Sequence, residues 1–298
     1  MRCAFLTMQE TEGWSIDADL AFEPLAALGW KAEWLPWRQP NVAWDEWDCV
    51  YLAATWDYPS APDAFLAVLE DIEASRALLI NPLSLVRWNV AKTYLRELSE
   101  QGVPIVPSLW FDSIADGDPA TAFDEFGVDR IIIKPVISTN ANNTFLLTRD
   151  RLDERRAEIA SLFADRGFVV QPFLRSVQSE GEYSLFYIGD GFSHAIRKVP
   201  RSADFRVQEE HGASIVAFDL TEELIAAGDK AIRELTPRPL YGRVDFVRAD
   251  AGELRLMELE LIEPSLYLRT NAGAAARFAN ALVRYASQEG AIEHGTCE

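Results

Sequence analysis

Two short segments near the carboxyl end of the chain carry acidic side chains at a spacing that suits metal chemistry. Arg243 and Asp245 are followed, thirteen residues after Asp245, by Glu258 and then Glu260. If both segments are strands, each pair shares one face of its strand, because side chains alternate across a strand. A hairpin turn centred near residues 250–251 would place Arg243 opposite Glu258 and would make Asp245 and Glu258 diagonal neighbours.

Three carboxylates on one face repel each other unless a cation lies between them. Hard oxygen ligands on a rigid sheet suit Mg²⁺, which keeps several waters and takes further ligands from substrate phosphates. The pattern therefore predicts a magnesium site at Asp245, Glu258 and Glu260. A solvated face of an antiparallel sheet is also rich in alternating Glu, and the acidic residues alone do not separate these two interpretations.

Basic and polar residues could complete a phosphate site. Lys92 and Lys134 lie on different predicted elements, and Lys134 ends an apolar strand with the sequence IIIKP. The polar loop 136–144 follows, and its Ser, Thr and Asn groups could cover phosphates. The apolar strand at 169–174 has a backbone that could hydrogen-bond an adenine edge. A lysine at the end of such a strand is also commonly a solvated cap.

A second basic group follows a predicted hairpin. Arg197, Lys198 and Arg206 stand out in an acidic chain and could bind an anion at the catalytic site. They could instead be strand-edge charges that pair with Glu209 and Glu210. The sequence leaves both interpretations open.

The composition restricts the partners of the chain. Its 298 residues are 49% hydrophobic and 25% charged, which is ordinary for a globular protein. Lys and Arg number 28 against 47 Asp and Glu, so the formal net charge is −19 and the pI is about 4.6. Because such a charge repels nucleic acid and anionic membranes, we expect neither as a partner. A small anion such as ATP stays admissible in a locally positive pocket.

The cysteines and histidines indicate neither a disulfide framework nor a zinc site. Three cysteines, without CxxC spacing, stand at Cys3, Cys49 and Cys297. Three histidines without the spacing of a catalytic triad stand at His194, His211 and His294. The N-terminal apolar patch is too short for a signal peptide, and no apolar run approaches the roughly 18 residues of a membrane span. We therefore expect a cytoplasmic protein.

The order of elements changes near residue 87. The first 90 residues alternate apolar strands with helical stretches, which predicts a parallel sheet with helices on its faces and ligands at the carboxyl ends of its strands. The segment 55–58 ends one such strand and either touches a ligand or simply packs. An amphipathic helix is predicted over 88–101, and hairpins over 183–198 and 243–261. We expect an α/β domain over residues 1–86 and an antiparallel-rich domain over 87–298.

The order of these segments resembles the ATP-grasp superfamily, the fold of glutathione synthetase and D-alanine–D-alanine ligase. The resemblance covers roughly residues 87–270 and rests on WNVAKTYLRELSEQGVPIVP, IIIKP, VVQPFL, GEYSL, and RVD followed by MELELIEPS. It implies an α+β ATP-grasp fold with a small lobe at about 105–170 and a C-terminal lobe at about 171–290, preceded by an α/β pre-ATP-grasp domain. The ending MELELIEPSLYL is similar to small-molecule ligases related to the cyclo-ligase that closes D-cycloserine from O-ureido-D-serine.

The resemblance also implies roles for individual residues. Lys92 and Lys134 match the lysines that bind the α- and β-phosphates of ATP. Gln171 and the backbone of Phe173 and Leu174 match the hinge that binds adenine, and Glu182 matches the carboxylate that binds the ribose. Met257, which is expected to face away from Glu258, matches the floor of the adenine slot. The magnesium ligands match Asp245, Glu258 and Glu260. The catalytic basic residues are Arg243, which matches the arginine that stabilises transition-state charge, with Arg197 and Arg206.

Two positions depart from the family pattern. Residue 260 is Glu where most members have Asn, which adds a negative charge to the site. The loop 136–144 contains no glycine, although the family's loop is usually glycine-rich. The second departure puts close contact between that loop's backbone and phosphate in doubt.

The implied enzyme is an ADP-forming C–N ligase. Phosphoryl transfer from ATP to a small, amino-acid-like carboxylate gives an acyl phosphate, which an amine attacks with loss of phosphate; Mg²⁺, or Mn²⁺ in its place, and basic side chains offset the charge. The resemblance implies cyclisation of O-ureido-D-serine to D-cycloserine in antibiotic biosynthesis. The alternatives are an intermolecular ligase of the glutathione-synthetase type, a phosphotransferase that stops at the phosphorylated acid, and a non-catalytic ATP-binding regulator. A homodimer is compatible with the sequence.

Overall fold

The computed structural model describes residues 1–294 except Ala203 and Ala217, with side chains through Gln288. Cys297 and the side chain of His294 lie outside the described residues. The described chain forms three β-sheets with helices packed against them, which confirms the predicted α+β class.

The first sheet is parallel. Its elements in chain order are β1 (Arg2–Thr7), α1 (Phe22–Ala27), β2 (Lys31–Pro36), β3 (Cys49–Ala54), α2 (Pro62–Glu73) and β4 (Leu78–Ile80). The strand order is β2-β1-β3-β4, and the predicted parallel pairing is confirmed. Every residue of β3 is buried, which is why this strand reads as an unbroken apolar run. Cys3 and Cys49 are register partners and are both free, buried thiols.

The next stretch is not the single helix predicted over 88–101. It contains α3 (Leu83–Asn89) and α4 (Tyr94–Glu100), with a break between them that includes Lys92. The side chain of Asn89 donates to the Leu259 carbonyl at 2.8 Å and accepts from the Leu261 N–H at 2.9 Å. Because these two bonds tie the end of α3 to the edge of a neighbouring sheet, the helix stops there and Lys92 lies in the link.

The second sheet is antiparallel, with the strand order β5-β8-β6-β7. Its elements are β5 (Leu109–Phe111), α5 (Thr121–Glu125), β6 (Ile131–Pro135), β7 (Phe145–Leu147), α6 (Arg149–Glu154), α7 (Arg156–Leu162) and β8 (Phe168–Pro172). Phe123 of α5 and Ile159 of α7 pack in one cluster with Ile131 and Ile133 of β6. Lys134 comes directly after this apolar face, so the packing of β6 fixes its position.

The third sheet is antiparallel and contains both predicted hairpins. Its elements are α8 (Ser176–Ser179), β9 (Glu182–Ile188), β10 (Gly191–Val199), β11 (Ser214–Val216), α9 (Glu222–Ile232), β12 (Tyr241–Arg248), β13 (Leu254–Glu260) and α10 (Ala274–His294). The strand order is β11-β10-β9-β12-β13. The β9–β10 and β12–β13 pairs confirm the hairpin predictions.

A β-bulge at Met257 shifts the register of β13 against β12 by one residue. Asp245 pairs with Glu258 and Phe246 pairs with Leu256, so Met257 has no partner on β12. Asp245 and Glu258 are therefore directly opposite, and the predicted diagonal arrangement is wrong. The expectation that Met257 faces away from Glu258 is also wrong, because a bulge interrupts the alternation of side chains and both residues line the same cavity.

The helix α10 joins the first and third sheets through a shared core. Phe278 packs against Tyr51, with ring centroids 4.8 Å apart, and Tyr51 meets Tyr241 edge-on at 5.0 Å. Asn81 adds polar bonds across the same junction, donating to the carbonyls of Tyr241 at 2.9 Å and Leu261 at 2.8 Å. The N-terminal sheet is thus fixed against β12 and β13. The domain boundary at residues 86 and 87, and the two lobes after it, stay predictions.

Within the described part of the chain, no helix has the length and apolar character needed to cross a membrane.

Candidate active site

A large cavity lies where the three sheets meet. The predicted site residues that line it are Lys92, Lys134, Gln171, Phe173, Leu174, Glu182, Arg206, Arg243, Met257, Glu258 and Glu260. Asp245 and Arg197 are not among the lining residues. Segments of the N-terminal sheet's loops close the far side of the cavity, at 14–15 and 56–58.

One end of the cavity is an apolar slot, called here the nucleotide end. Met257 packs there against a buried cluster formed by Val106, Leu174, Val177, Val207 and Val247. Gln171 lies at the edge of the slot and donates from Nε2 to Ser108 Oγ at 2.9 Å. The Phe173 N–H already donates to the Arg130 carbonyl at 3.0 Å. The Leu174 N–H has no backbone acceptor among the described residues, so it is the hinge N–H that can donate to a ligand. The slot suits a flat, apolar ring with a polar edge.

Two buried lysines adjoin the slot in different electrostatic settings. Lys92 Nζ lies 2.9 Å from Glu258 Oε1 and donates to the Ser138 carbonyl at 2.9 Å. Lys134 is also buried, but no carboxylate oxygen of the described residues lies within 4.0 Å of its Nζ. Burial lowers the pKa of Lys134 to about 8, although the negative charge of Glu258 opposes that shift. Lys134 is therefore a buried amine whose charged form lacks a close partner.

The loop 136–144 covers the lysines in a conformation that glycines usually adopt. Asn140, Ala141 and Asn143 have φ angles of 49°, 54° and 54°. This left-handed region is sterically costly for most residues, but Asn enters it more readily because its short amide can hydrogen-bond locally. The two asparagines therefore account for most of the backbone shape that a glycine-rich loop would have.

Lys198, and not Arg197, directs its side chain into the cavity. The two residues are neighbours on β10 and therefore lie on opposite faces of the sheet. Lys198 Nζ lies 2.9 Å from Glu182 Oε1 and 3.6 Å from Asp245 Oδ1. Burial and Arg243 act to lower the pKa of Lys198, but Asp245 and Glu182 outweigh them and raise it. The assignment of Arg197 to the catalytic site is wrong, and strand alternation explains the one-residue error.

Arg243 ties the acidic residues of β12 and β13 together. Its Nε lies 3.1 and 3.0 Å from the two carboxylate oxygens of Asp245, and its Nη2 donates to Glu260. Glu260 is the register partner of Arg243, so the predicted pairing of Arg243 with Glu258 is wrong. Burial acts to raise the pKa of Asp245, but Arg243 and Lys198 outweigh it and lower the pKa. Asp245 is thus an ionised group held behind the cavity wall.

The acidic residues are balanced by side-chain cations. Glu258 pairs with Lys92, and Arg243 bridges Asp245 and Glu260. The expected cations are therefore present as side chains of the protein, and the assignment of Asp245, Glu258 and Glu260 as magnesium ligands stays a prediction. Among the described residues, no three acidic, His or Cys side chains form a group that could hold a metal ion. Mg²⁺ does not require such a cage, because water and phosphate oxygens supply most of its ligands, so Glu258 and Glu260 fit an ion that arrives with a nucleotide.

The opposite end of the cavity, called here the aromatic end, was predicted only through the segment 55–58. Trp56 stacks on Trp14 with ring centroids 5.0 Å apart, and its Nε1 donates to the Glu263 carbonyl at 2.8 Å. Tyr58 lines the cavity and also packs in the N-terminal core. The segment therefore packs in the core and also lines the cavity, and its contact with a ligand stays a prediction.

The loop around residue 206 forms the rim of the cavity. Arg206 lines the cavity and pairs with Asp204 at 2.9 Å. Glu210 Oε1 accepts from the Ser15 N–H at 3.2 Å, which connects this loop to the N-terminal segment beside Trp14. The rim is thus made from two distant parts of the chain.

Glu263 is an acidic lining residue that the sequence analysis missed. It is 6% exposed, and burial, reinforced by Glu260, raises the pKa of its carboxyl well above the usual value. The sequence does place a third acidic residue close after Glu258 and Glu260. However, position 263 is three residues after position 260, and an odd spacing does not fit the two-residue alternation of a strand. Trp14 gave no comparable signal, since nothing in its surroundings indicates a ligand.

Comparison with known proteins connects this cavity to one family of enzymes. Residues 3–81 match the family model for the N-terminal domain of the D-cycloserine synthetase DcsG. The cycloserine biosynthesis protein DcsG of Streptomyces lavendulae is 30% identical over 297 residues, spanning 91% of this chain and 96% of that protein. The crystal structure of D-cycloserine synthetase DcsG is similar with a TM-score of 0.84 at 26% identity, covering 96% of this chain and 100% of that one.

A more distant structure shows the same fold. D-alanyl-alanine synthetase A from Vibrio cholerae O1 biovar eltor has a TM-score of 0.71 at 15% identity, covering 97% of this chain and 98% of that one. These likenesses confirm the ATP-grasp fold. Because the match to the Streptomyces protein extends over nearly the full length of both chains, this chain belongs to the D-cycloserine synthetase family of ATP-grasp ligases, ATP-dependent enzymes that form C–N bonds with release of ADP.

Proposed function

We propose that this ligase activates the carboxylate of a small amino-acid-like substrate as an acyl phosphate and then forms a C–N bond within the same molecule. O-ureido-D-serine, cyclised to D-cycloserine in antibiotic biosynthesis, is the proposed substrate, on the ground of the family relationship. The observation that carries the proposal is the cavity that joins the apolar slot and the unpaired Lys134 to the Arg243–Glu260 pair.

The nucleotide end accounts for ATP. The adenine ring lies in the slot on Met257, with Leu174 N–H and Gln171 at its edge. Lys92 and Lys134 receive the α- and β-phosphates, and a phosphate oxygen replaces the missing counter-charge of Lys134. Glu182 stays the proposed ribose contact, although Lys198 already binds one of its oxygens.

Magnesium is the proposed metal, with Mn²⁺ as a substitute. Glu258 and Glu260 line the cavity and can exchange an ion-pair partner for the metal, and Asp245 lies directly opposite Glu258 as the third acidic residue. The ion supplies positive charge at the transferring phosphoryl group. The lysine and arginine partners hold these carboxylates in position before ATP binds.

The protein's own contribution to the chemistry is positioning and charge. Arg243 and Lys198, with Arg206 at the rim, face the place where the substrate carboxylate meets the γ-phosphate. The carboxylate oxygen attacks phosphorus and ADP leaves. The nitrogen then attacks the acyl carbon, the C–O bond to phosphate breaks, and the nitrogen loses a proton as phosphate departs. With O-ureido-D-serine, hydrolysis of the carbamoyl group on that nitrogen to carbon dioxide and ammonia completes the conversion to D-cycloserine.

Isotope transfer tests this sequence of steps. With ¹⁸O in the substrate carboxylate, one label per turnover should appear in the released phosphate, and formation of ADP should require no second amine. If all label stays in the product, or if a phosphorylated enzyme is trapped, the acyl phosphate mechanism fails. ADP release that depends on an added amine would instead indicate an intermolecular ligase.

The cellular location and the substrate of the enzyme are proposed from its chemistry. A ligase that consumes ATP is best supplied in the cytoplasm, and its substrate is a small carboxylate. A homodimeric state and the exclusion of nucleic acid stay predictions.

A further inference from the structure

Glu263 differs from three other carboxylates that line the cavity. Glu182, Glu258 and Glu260 each form an ion pair with a lysine or arginine. For Glu263, no Lys or Arg nitrogen of the described chain lies within 4.0 Å of the carboxylate. Burial, reinforced by Glu260 and opposed by Lys92, raises the pKa of this carboxyl well above the usual value, because an ionised carboxylate is costly to bury without a close cation. A cationic ligand in contact with this carboxyl would favour its ionised form.

The position of Glu263 is fixed by aromatic and polar contacts. Its carbonyl accepts from Trp56 Nε1 at 2.8 Å, and the Trp56 carbonyl in turn accepts from Thr139 Oγ1 at 2.6 Å. Trp56 and the stacked Trp14 both line the cavity. Indole faces attract cations, so the wall beside Glu263 favours the same charge as its carboxylate does.

Arg243 approaches the same short segment from the other side. Its Nη1 lies 3.3 Å from the carbonyl of Ser265, two residues after Glu263. Two residues span at most about 7 Å of chain. One short segment therefore presents a carboxylate for a cation and adjoins a guanidinium that can bind a carboxylate. An α-amino acid carries its ammonium and carboxylate on a single carbon, and it fits this arrangement.

We propose that Glu263 binds the α-ammonium group of an amino-acid substrate while the carboxylate of the same substrate faces Arg243. This assignment rests on the proposed function, because it names the substrate class of the same cavity. A nitrogen held as ammonium has no lone pair, so the nitrogen that forms the new C–N bond is a different one. In O-ureido-D-serine it is the ureido nitrogen bonded to oxygen: it bonds to the acyl carbon and loses a proton, and the C–O bond to phosphate breaks. Water then cleaves the carbamoyl group from this nitrogen, which releases carbon dioxide and ammonia and leaves D-cycloserine.

A comparison of two substrates isolates this contact from structural effects. The probes are O-ureido-D-serine and its counterpart with a hydroxyl in place of the α-amino group, and the measured quantity is kcat/KM for ADP release. In Glu263→Gln, we expect kcat/KM for the amino acid to fall about 30- to 100-fold, while that for the hydroxy acid stays within about threefold, since one charge-assisted hydrogen bond is lost. General damage to the cavity would lower both values equally.

The matched control removes a different carboxylate of the cavity rim. Glu210→Gln takes away an exposed carboxylate on the rim, and we expect the preference for the amino acid over the hydroxy acid to equal that of the wild type. An unchanged preference in Glu263→Gln overturns the assignment and leaves the ligase reaction standing. If the wild type releases no ADP with O-ureido-D-serine or any other α-amino acid, the proposed function and this assignment both fail.

Discussion

The two ends of the cavity are built for opposite charges. At the nucleotide end, Lys134 is buried with no carboxylate oxygen of the described residues within 4.0 Å. At the aromatic end, Glu263 is buried, and no lysine or arginine nitrogen of the described residues lies within 4.0 Å of its carboxylate oxygens. Between them, the remaining buried charges satisfy one another, as Arg243 does with Glu260. The cavity therefore contains one lysine and one glutamic acid that each lack a close partner of opposite charge among the described residues.

Two such groups would allow an acidic protein to bind ATP beside the proposed amino-acid substrate. A uniformly basic pocket would attract the polyphosphate but would repel an ammonium group. A lysine and a glutamic acid that each lack a close partner of opposite charge instead favour a polyanion and a zwitterion in one orientation.

Replacing Glu258, which pairs with Lys92 in the cavity, should have the largest effect on turnover. Glu258→Gln leaves Lys92 without its partner and removes a proposed metal ligand, so turnover should fall at least about 1000-fold. Asp245→Asn should lose turnover as well. Steady-state ADP release, with circular dichroism to check the fold and the exposed Glu253→Gln as a control, measures the loss. Activity within about fivefold of wild type would remove the metal assignment.

Removing Lys134 tests the nucleotide end. Lys134→Ala should weaken ATP binding about 30- to 100-fold, because a buried, charge-assisted contact with phosphate is lost. Glu182→Ala should weaken it less, since a ribose hydroxyl is a neutral donor. Calorimetric titration with ATP measures both. Equal ATP affinity in wild type and Lys134→Ala would exclude Lys134 from the site.

The pKa of Lys134 makes ATP binding depend on pH. With a pKa of about 8 in the free enzyme, the amine is charged below pH 8 and loses its charge above it. Because ATP binds the charged form, its affinity should fall about tenfold between pH 7 and pH 9. Lys134→Arg stays charged over this range and should show a flatter profile. A wild-type affinity that is constant from pH 7 to pH 9 would contradict the prediction.

The loop above the nucleotide end should respond weakly to glycine. Ala141→Gly relieves a left-handed conformation and should raise the free energy of unfolding by about 0.5 kcal/mol. Asn142→Gly, at a neighbour without positive φ, should lower it by a similar amount. Urea unfolding measures both changes. The same sign for the two variants would show that backbone strain at Ala141 is not the cause.

Much of this architecture follows from local patterns in the sequence. The unbroken apolar run at 49–54 predicts a buried parallel strand, and the apolar segments on either side of Gly189 and Gly252 predict the two hairpins. The order of Lys92, Lys134 and the acidic strand then indicates the ATP-grasp fold. These features are predictable because each depends on neighbouring residues alone.

The errors arise where distant contacts override a local pattern. Asn89 ends a helix because it bonds to β13, which is 170 residues away. The register at Asp245 depends on a bulge that the turn alone does not specify. Glu263 and Trp14 become site residues only because the N-terminal sheet packs against β12 and β13, and no periodicity in either segment encodes that packing.

The bulge at Met257 also has an evolutionary consequence. A regular strand offers only every second side chain to one surface, whereas here Met257 and Glu258, which are consecutive, both line the cavity. The residue proposed to contact the base is thus an extra residue in the strand, next to the acidic residue. Losing it would restore regular alternation and leave Glu258 and Glu260 facing the same way. Mutation at this point, including deletion, can therefore alter the fit of the nucleotide base without disturbing the acidic residues that the reaction depends on.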